Sequence, residues 1–69
     1  MKTLELVYKG RDSWDRPVYE CEGRLYVDVD PSSDYPHIHT KSSNEFDGEP
    51  DYPIGENVAI TFIPERDRW

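Results

Sequence analysis

The strongest constraint on what this chain can fold into is a period of two in side-chain polarity. Leu4, Leu6 and Tyr8 alternate with Thr3, Glu5 and Lys9, and Val58, Ile60 and Phe62 alternate with Ala59, Thr61 and Ile63. Residues two apart share one face of a strand, and no segment sustains a helical period between capping residues, so the fold class is mainly β. The chain has 69 residues, which predicts a single domain over residues 1–69 near the size at which one hydrophobic core barely suffices. Cys21 is the only cysteine, so no intramolecular disulfide staples the fold. The core must then draw on the five Tyr, two Trp and two Phe, because aromatic side chains bury the most area each.

Thr3 to Lys9 reads as a half-buried strand with Val7 as its one apolar residue on the outer side, and Gly10 to Arg16 as a loop rich in Gly, Asp and Ser. Pro17 to Val29 reads as a hairpin with Gly23 at its tip. A two-residue Glu22-Gly23 loop would set Glu20 opposite Leu25 and Val18 opposite Val27, which mixes charge into the apolar face. A three-residue loop, Cys21-Glu22-Gly23 with Gly23 at positive φ, pairs Tyr19 with Leu25 and collects Tyr19, Leu25, Val27 and Val29 on one face. The hydrophobic pattern favours the second. Pro31 to Pro36 reads as a polar turn and His37 to Lys41 as a short strand.

Residues 42–57 contain two prolines, two glycines and five acidic residues without periodicity, which predicts a long irregular acidic loop pinned by Phe46, Tyr52 and Ile54. Val58 to Ile63 is apolar on both faces and reads as an interior strand. The expected architecture is a small antiparallel sheet or open barrel of about five short strands. Closure or near-closure would limit its exposed edges.

The net charge is −7, and its distribution is uneven. Residues 1–27 balance five cations against five carboxylates, and the last five residues also cancel. Residues 28–64 hold eight carboxylates against Lys41 alone, so the whole surplus falls there. That sign disfavours direct nucleic-acid binding and favours encounter with a basic protein surface. No apolar stretch approaches a signal peptide or a membrane span. With the lone cysteine, this predicts a cytoplasmic protein with no membrane association.

His37 and His39, two apart on a strand, point to the same side, as metal ligands do, with Asp28, Asp30 or Asp34 available to complete a set. Asp28 to Asp34 also alternates oxygens like the start of a calcium loop. It lacks the glycine at the sixth position and carries His39 at the twelfth, which excludes an EF-hand. Surface placement of the histidines and ordinary turn chemistry for the aspartates account for both patterns, so no metal or other cofactor is expected. Asp47-Gly48-Glu49-Pro50-Asp51 gathers three carboxylates in five residues. It reads as an acidic turn or, more sharply, as a contact surface for a basic partner. Trp14 and Trp69 fit no strand pattern; each either folds over a sheet edge or, where exposed, anchors an interface. No phosphate-binding loop, nucleophile elbow or paired-cysteine motif is present, so no enzymatic activity is expected.

Gly10-Arg11-Asp12-Ser13-Trp14-Asp15-Arg16-Pro17-Val18-Tyr19, Leu25-Tyr26-Val27-Asp28-Val29 and Asn44-Glu45-Phe46-Asp47-Gly48-Glu49-Pro50-Asp51 together resemble segments of short uncharacterised proteins of Gram-positive bacteria and their mobile elements. Similar segments are accessory domains of large polyvalent proteins. The resemblance implies a bacterial or phage-borne cytoplasmic setting, and it carries no catalytic or binding residue to this chain.

Three functions are compatible with these features. The first is a non-enzymatic interaction module presenting Trp14, Asp47, Glu49 and Asp51 to a basic protein partner. The second is an acidic inhibitor that imitates nucleic acid and blocks a DNA-binding enzyme. The third is a small metal-dependent enzyme built on His37 and His39.

Overall fold

A computed structural model describes residues 2–55 and 58–68, the side chain of Lys2 excepted. The elements are β1 (Lys2–Arg11), β2 (Pro17–Cys21), β3 (Arg24–Asp28), β4 (Ile38–Lys41), a single 3-10 turn (Ser42–Asn44), β5 (Pro50–Pro53) and β6 (Val58–Ile63). They form one mixed sheet of six strands in the order β5-β4-β3-β2-β1-β6.

This departs from an antiparallel sheet of five strands in two ways. The acidic segment contributes β5, a four-residue edge strand paired with β4 through His39 with Pro53 and Lys41 with Pro50, with a register shift between them. Two prolines and an irregular register leave it no period to betray it in the sequence. The second departure is β6, which pairs with β1 in parallel from Lys2 with Val58 to Val7 with Ile63. Strands β5 and β6 are consecutive along the chain but lie at opposite ends of the sheet. β6 is therefore an edge strand and not an interior one. Its two-sided apolar pattern arises because Val58, Ile60 and Phe62 face the core while Ile63 lies beside Val7 on the other face.

The hairpin adopts the register that the hydrophobic pattern disfavours. Val18 pairs with Val27, Tyr19 with Tyr26, Glu20 with Leu25 and Cys21 with Arg24. Glu22 at φ 51° and Gly23 at φ 82° make a two-residue turn with both central residues left-handed. This is the turn whose twist matches that of the flanking strands, so turn geometry overrides the cost of placing Glu22 at positive φ. Glu20 stays off the core face, because Tyr19 and Tyr26 occupy that face while Glu20 and Leu25 lie with Val18 and Val27 on the other.

Register places Leu4, Leu6, Tyr19, Tyr26 and Ile38 on the core face, where Tyr8, Cys21, Ile54, Val58, Ile60 and Phe62 pack against them. Contributions from β4, from Ile54 just after β5, and from β6 at the other end of the strand order meet in this one cluster, so the sheet curls around its interior. Tyr19 is fully buried, with its ring centroid 5.6 Å from that of Tyr8 and 5.0 Å from that of Phe62. Not all aromatics enter the core. Tyr52, expected to pin the acidic segment, is 72% exposed, and Ile54 performs that task.

Two devices close the ends of the sheet. Where β4 leaves β3 for the 3-10 turn, the Asn44 side chain takes the place of a peptide group. Its Nδ2 donates to Gly23 O at 2.9 Å and its Oδ1 accepts from Leu25 N at 2.7 Å. After the cis Ile63–Pro64 peptide, the C-terminal tail runs over the core face. Arg66 Nε donates to the buried Asp28 Oδ2 at 3.0 Å, and Arg68 pairs with Asp34 at 3.2 Å. Asp67 accepts from Tyr8 and from Arg11 at 2.9 Å and 3.0 Å, while its N–H donates to Tyr19 Oη. The tail cations, which balance their own segment in the sequence, thus neutralise two carboxylates of the acidic one.

Asn44→Ala should destabilise the protein by about 1–2 kcal/mol, because it removes both hydrogen bonds and leaves Gly23 O and Leu25 N without them; urea denaturation measures this. The Arg11 guanidinium, followed by the Tyr8 hydroxyl, holds the Asp67 carboxyl below the ordinary carboxylate range. Its contribution is therefore present above the unfolded pKa of about 3.9 and lost as the pH falls through the lower folded value. Asp67→Asn should lower the melting temperature at neutral pH and shrink the loss of stability seen on acidification below about pH 4.

Candidate interaction surface

The loop between β1 and β2 is organised from within by Asp12. Its Oδ1 accepts from the backbone N–H of Trp14 at 3.0 Å and of Arg16 at 2.9 Å, and its carbonyl accepts from Asp15 N. An aspartate that bonds the backbone two residues on fixes a turn by itself. This one turns inward and pushes Trp14 outward, where the indole is 53% exposed with the Arg16 guanidinium 5.0 Å from its ring centroid.

The second oxygen of Asp12 meets Lys41 Nζ at 2.6 Å, and neither side chain has any solvent exposure. Lys41 projects from β4 and also donates to Gly48 O at 2.9 Å. One buried ammonium therefore joins the first loop to the acidic segment. Burial pushes the Asp12 carboxyl up, but Lys41 and the N–H groups of Arg16 and Trp14 outweigh it and hold the group below its usual range. Arg16 Nε lies 3.4 Å from the same oxygen, an ion pair without a hydrogen bond.

Further contacts join the two segments. Asp47 Oδ1 accepts from Ser13 N at 2.9 Å, and a Cβ placed on Gly10 would lie 4.0 Å from the Phe46 ring. Gly10, at φ 113°, follows the register shift in β1 and stands opposite Val18. Gly48 sits so close to Ser42 O that a side chain there would collide with backbone. The segment expected to be irregular is thus held in place, with its backbone closed by Ser42 N on Glu49 O at 2.8 Å.

Trp14 and Asp47 are brought together, since Asp47 bonds the residue adjacent to the indole. Glu49 is exposed on the same segment, and Asp51 is exposed one strand residue further on, on β5. Glu45, Glu49 and Asp51 make no ion pair among the described residues. Glu56, counted in the acidic surplus, and Trp69 lie outside the described residues.

His37 and His39 stand apart from this surface. His37 Nε2 lies 3.3 Å from Ser33 Oγ, and His39 Nδ1 lies 3.4 Å from His37 O. The aspartates that would complete a ligand set have other partners: Asp28 and Asp34 bind arginines and Asp30 accepts from Ser32. Among the described residues no group of three or more His, Cys, Asp or Glu is placed to hold a metal ion, and no helix is long and apolar enough to cross a membrane. Both histidines line an open groove together with Ile38, Ile54, Val58 and Ile60.

Comparison with known protein-family models, curated proteins and solved structures finds no match to this chain.

Removing Lys41 takes the hydrogen-bonded ammonium from the buried Asp12 carboxylate and leaves Arg16, 3.4 Å away, as its remaining cation. Lys41→Met should therefore cost about 3 kcal/mol, the low end for a broken buried pair, and thermal denaturation near neutral pH measures it. Amide exchange in the same variant should show both the 10–16 and 42–49 segments losing protection together.

Proposed function

We propose that the protein is a non-enzymatic interaction module that binds a protein partner through Trp14 and the carboxylates of residues 45–51, the partner presenting a basic surface. The observation that carries this reading is the hydrogen bond from Ser13 N to Asp47 Oδ1. It ties the loop that carries the exposed indole to the part of the chain where carboxylates lack intramolecular cations. A rigid aromatic anchor beside uncompensated charge suits a protein interface: the aromatic supplies contact energy and the charge supplies orientation and rate. Most other cations are spent internally. Lys41 serves Asp12, Arg66 serves Asp28 and Arg68 serves Asp34.

The nucleic-acid-mimic reading draws less support. A decoy for a phosphate backbone calls for carboxylates spaced along an extended surface, whereas Asp28 and Asp34 are neutralised by arginines and the uncompensated groups gather on one segment and its edge strand. The metal-enzyme reading draws less still, because the partners of Asp28, Asp30 and Asp34 leave His37 and His39 without a third donor among the described residues.

Titration with a lysine- and arginine-rich peptide, and affinity capture of binding proteins, test the reading together. The triple variant Glu45→Gln, Glu49→Gln, Asp51→Asn leaves Asp47 and its bond to Ser13 intact, and so separates binding from folding. It should weaken both interactions and their salt dependence. Trp14→Ala should cost about 2 kcal/mol or more of binding to a captured partner. Raising the salt towards about 1 M, where the Debye length falls to about 3 Å, should release that partner. Capture unchanged in both variants overturns the proposal.

A further inference from the structure

We propose that β6 is an interface for a second copy of this chain, the two β6 strands pairing antiparallel about a two-fold axis normal to the sheet.

The two edges of the sheet differ in kind. β5 ends one side with four residues, of which Pro50 and Pro53 lack an N–H and Asp51 is charged and exposed. Short length, proline and charge are the means by which natural sheets keep an edge from pairing. β6 ends the other side with Val58-Ala59-Ile60-Thr61-Phe62-Ile63, a strand without a charge or a proline. Among the described residues it pairs with β1 alone, so its outer row of backbone donors and acceptors has no partner strand.

The side chains flanking that row are apolar on the core face and, Thr61 excepted, on the other. Val58, Ile60 and Phe62 are only partly buried on the core face, where Val58 and Ile60 wall the open groove. On the other face Val7 and Ile63, register partners across β1 and β6, are each 38% exposed. An added strand would complete the hydrogen bonding of the edge and cover apolar surface on both sides at once.

The occupant follows from charge and symmetry. A chain of net charge −7 repels its own copies wherever they meet acidic surface, and Asn57 to Pro64 is its longest stretch free of charged residues. No carboxylate lies on β6 itself, and the one beside it on the outer face, Glu5 of β1 next to Thr61, stands one strand back from the junction, whereas a basic partner is drawn to residues 45–51 instead. A two-fold axis normal to the sheet keeps the core faces of both copies on one side, which allows registers centred on a single residue. With Thr61 at the axis, Ile60 faces Phe62 of the other copy and Ala59 faces its Ile63; with Ile60 at the axis, Val58 faces Phe62. Both pair apolar groups across the junction. Because β5 is protected, pairing through β6 closes at two copies and does not propagate. The burial also suits a chain of this size, which has no disulfide and only a small core.

Sedimentation equilibrium of the whole chain tests this. The expected result is a mass of twice the 8.1 kDa chain, with dissociation on dilution. Thr61→Lys changes an exposed residue and sets like charges across the axis, so it should yield a monomer with an unchanged far-ultraviolet spectrum. In a Cys21→Ser background, Thr61→Cys or Ile60→Cys, according to register, should oxidise to a disulfide-linked dimer, while Tyr52→Cys on β5 should not. A monomer at every concentration up to about 1 mM, or a dimer that survives Thr61→Lys, overturns the proposal.

Discussion

The arrangement of this molecule on one side turns on a single buried ion pair. Lys41 and Asp12 come from segments that hydrophobic patterning leaves independent, and the contact between them has no access to water. Both charges carry a large desolvation cost, which is met only because each has further hydrogen-bonding partners: Gly48 O for the ammonium, and the N–H groups of Trp14 and Arg16 for the carboxylate. The pair is thus less a source of net stability than a device of specificity. It allows one arrangement of the 10–16 and 42–49 segments, and that arrangement decides which side chains face outward. Trp14 is exposed because Asp12 is not.

A second set of ionic contacts works on the opposite face. The tail residues Arg66, Asp67 and Arg68 reach β3, β1 with β2, and the turn after β3 respectively. A chain with so few core side chains closes its open face with charge-assisted hydrogen bonds where a larger protein would use another apolar layer. The cost is sensitivity to acid, since the ion pairs among these contacts depend on ionised carboxylates.

The sequence made strand existence legible wherever side chains alternate over five or more residues. β1, β2, β3 and β6 fall where the period puts them, and Ile38–Lys41 forms despite its brevity. Position in the sheet was less legible. Apolar residues on both sides of β6 suggest an interior strand, yet pairing with β1 at an edge produces the same pattern, because Val7 and Ile63 share the far face. Hydrophobic accounting also misread the hairpin, since a two-residue turn with Glu22 and Gly23 both left-handed wins on twist. Of the candidate surface, Trp14 and the acidic residues stood out by composition. Their joining did not, because it depends on Asp12, Lys41 and Asn44, polar residues whose partners lie 29, 29 and roughly 20 positions away. One signal was present: Lys41 is the only cation in a stretch of eight carboxylates, and a lone charge of the opposite sign in such a stretch has a specific task.

The sequestration of that ammonium has a chemical corollary. An amine with no solvent exposure and a carboxylate against it is closed to acylating reagents, while Lys9, whose side chain is 43% exposed, is open to them. Covalent labelling of the native protein therefore decorates β1 and leaves the junction between the two segments untouched. Any acyl group found on Lys41 records a moment when those segments had come apart.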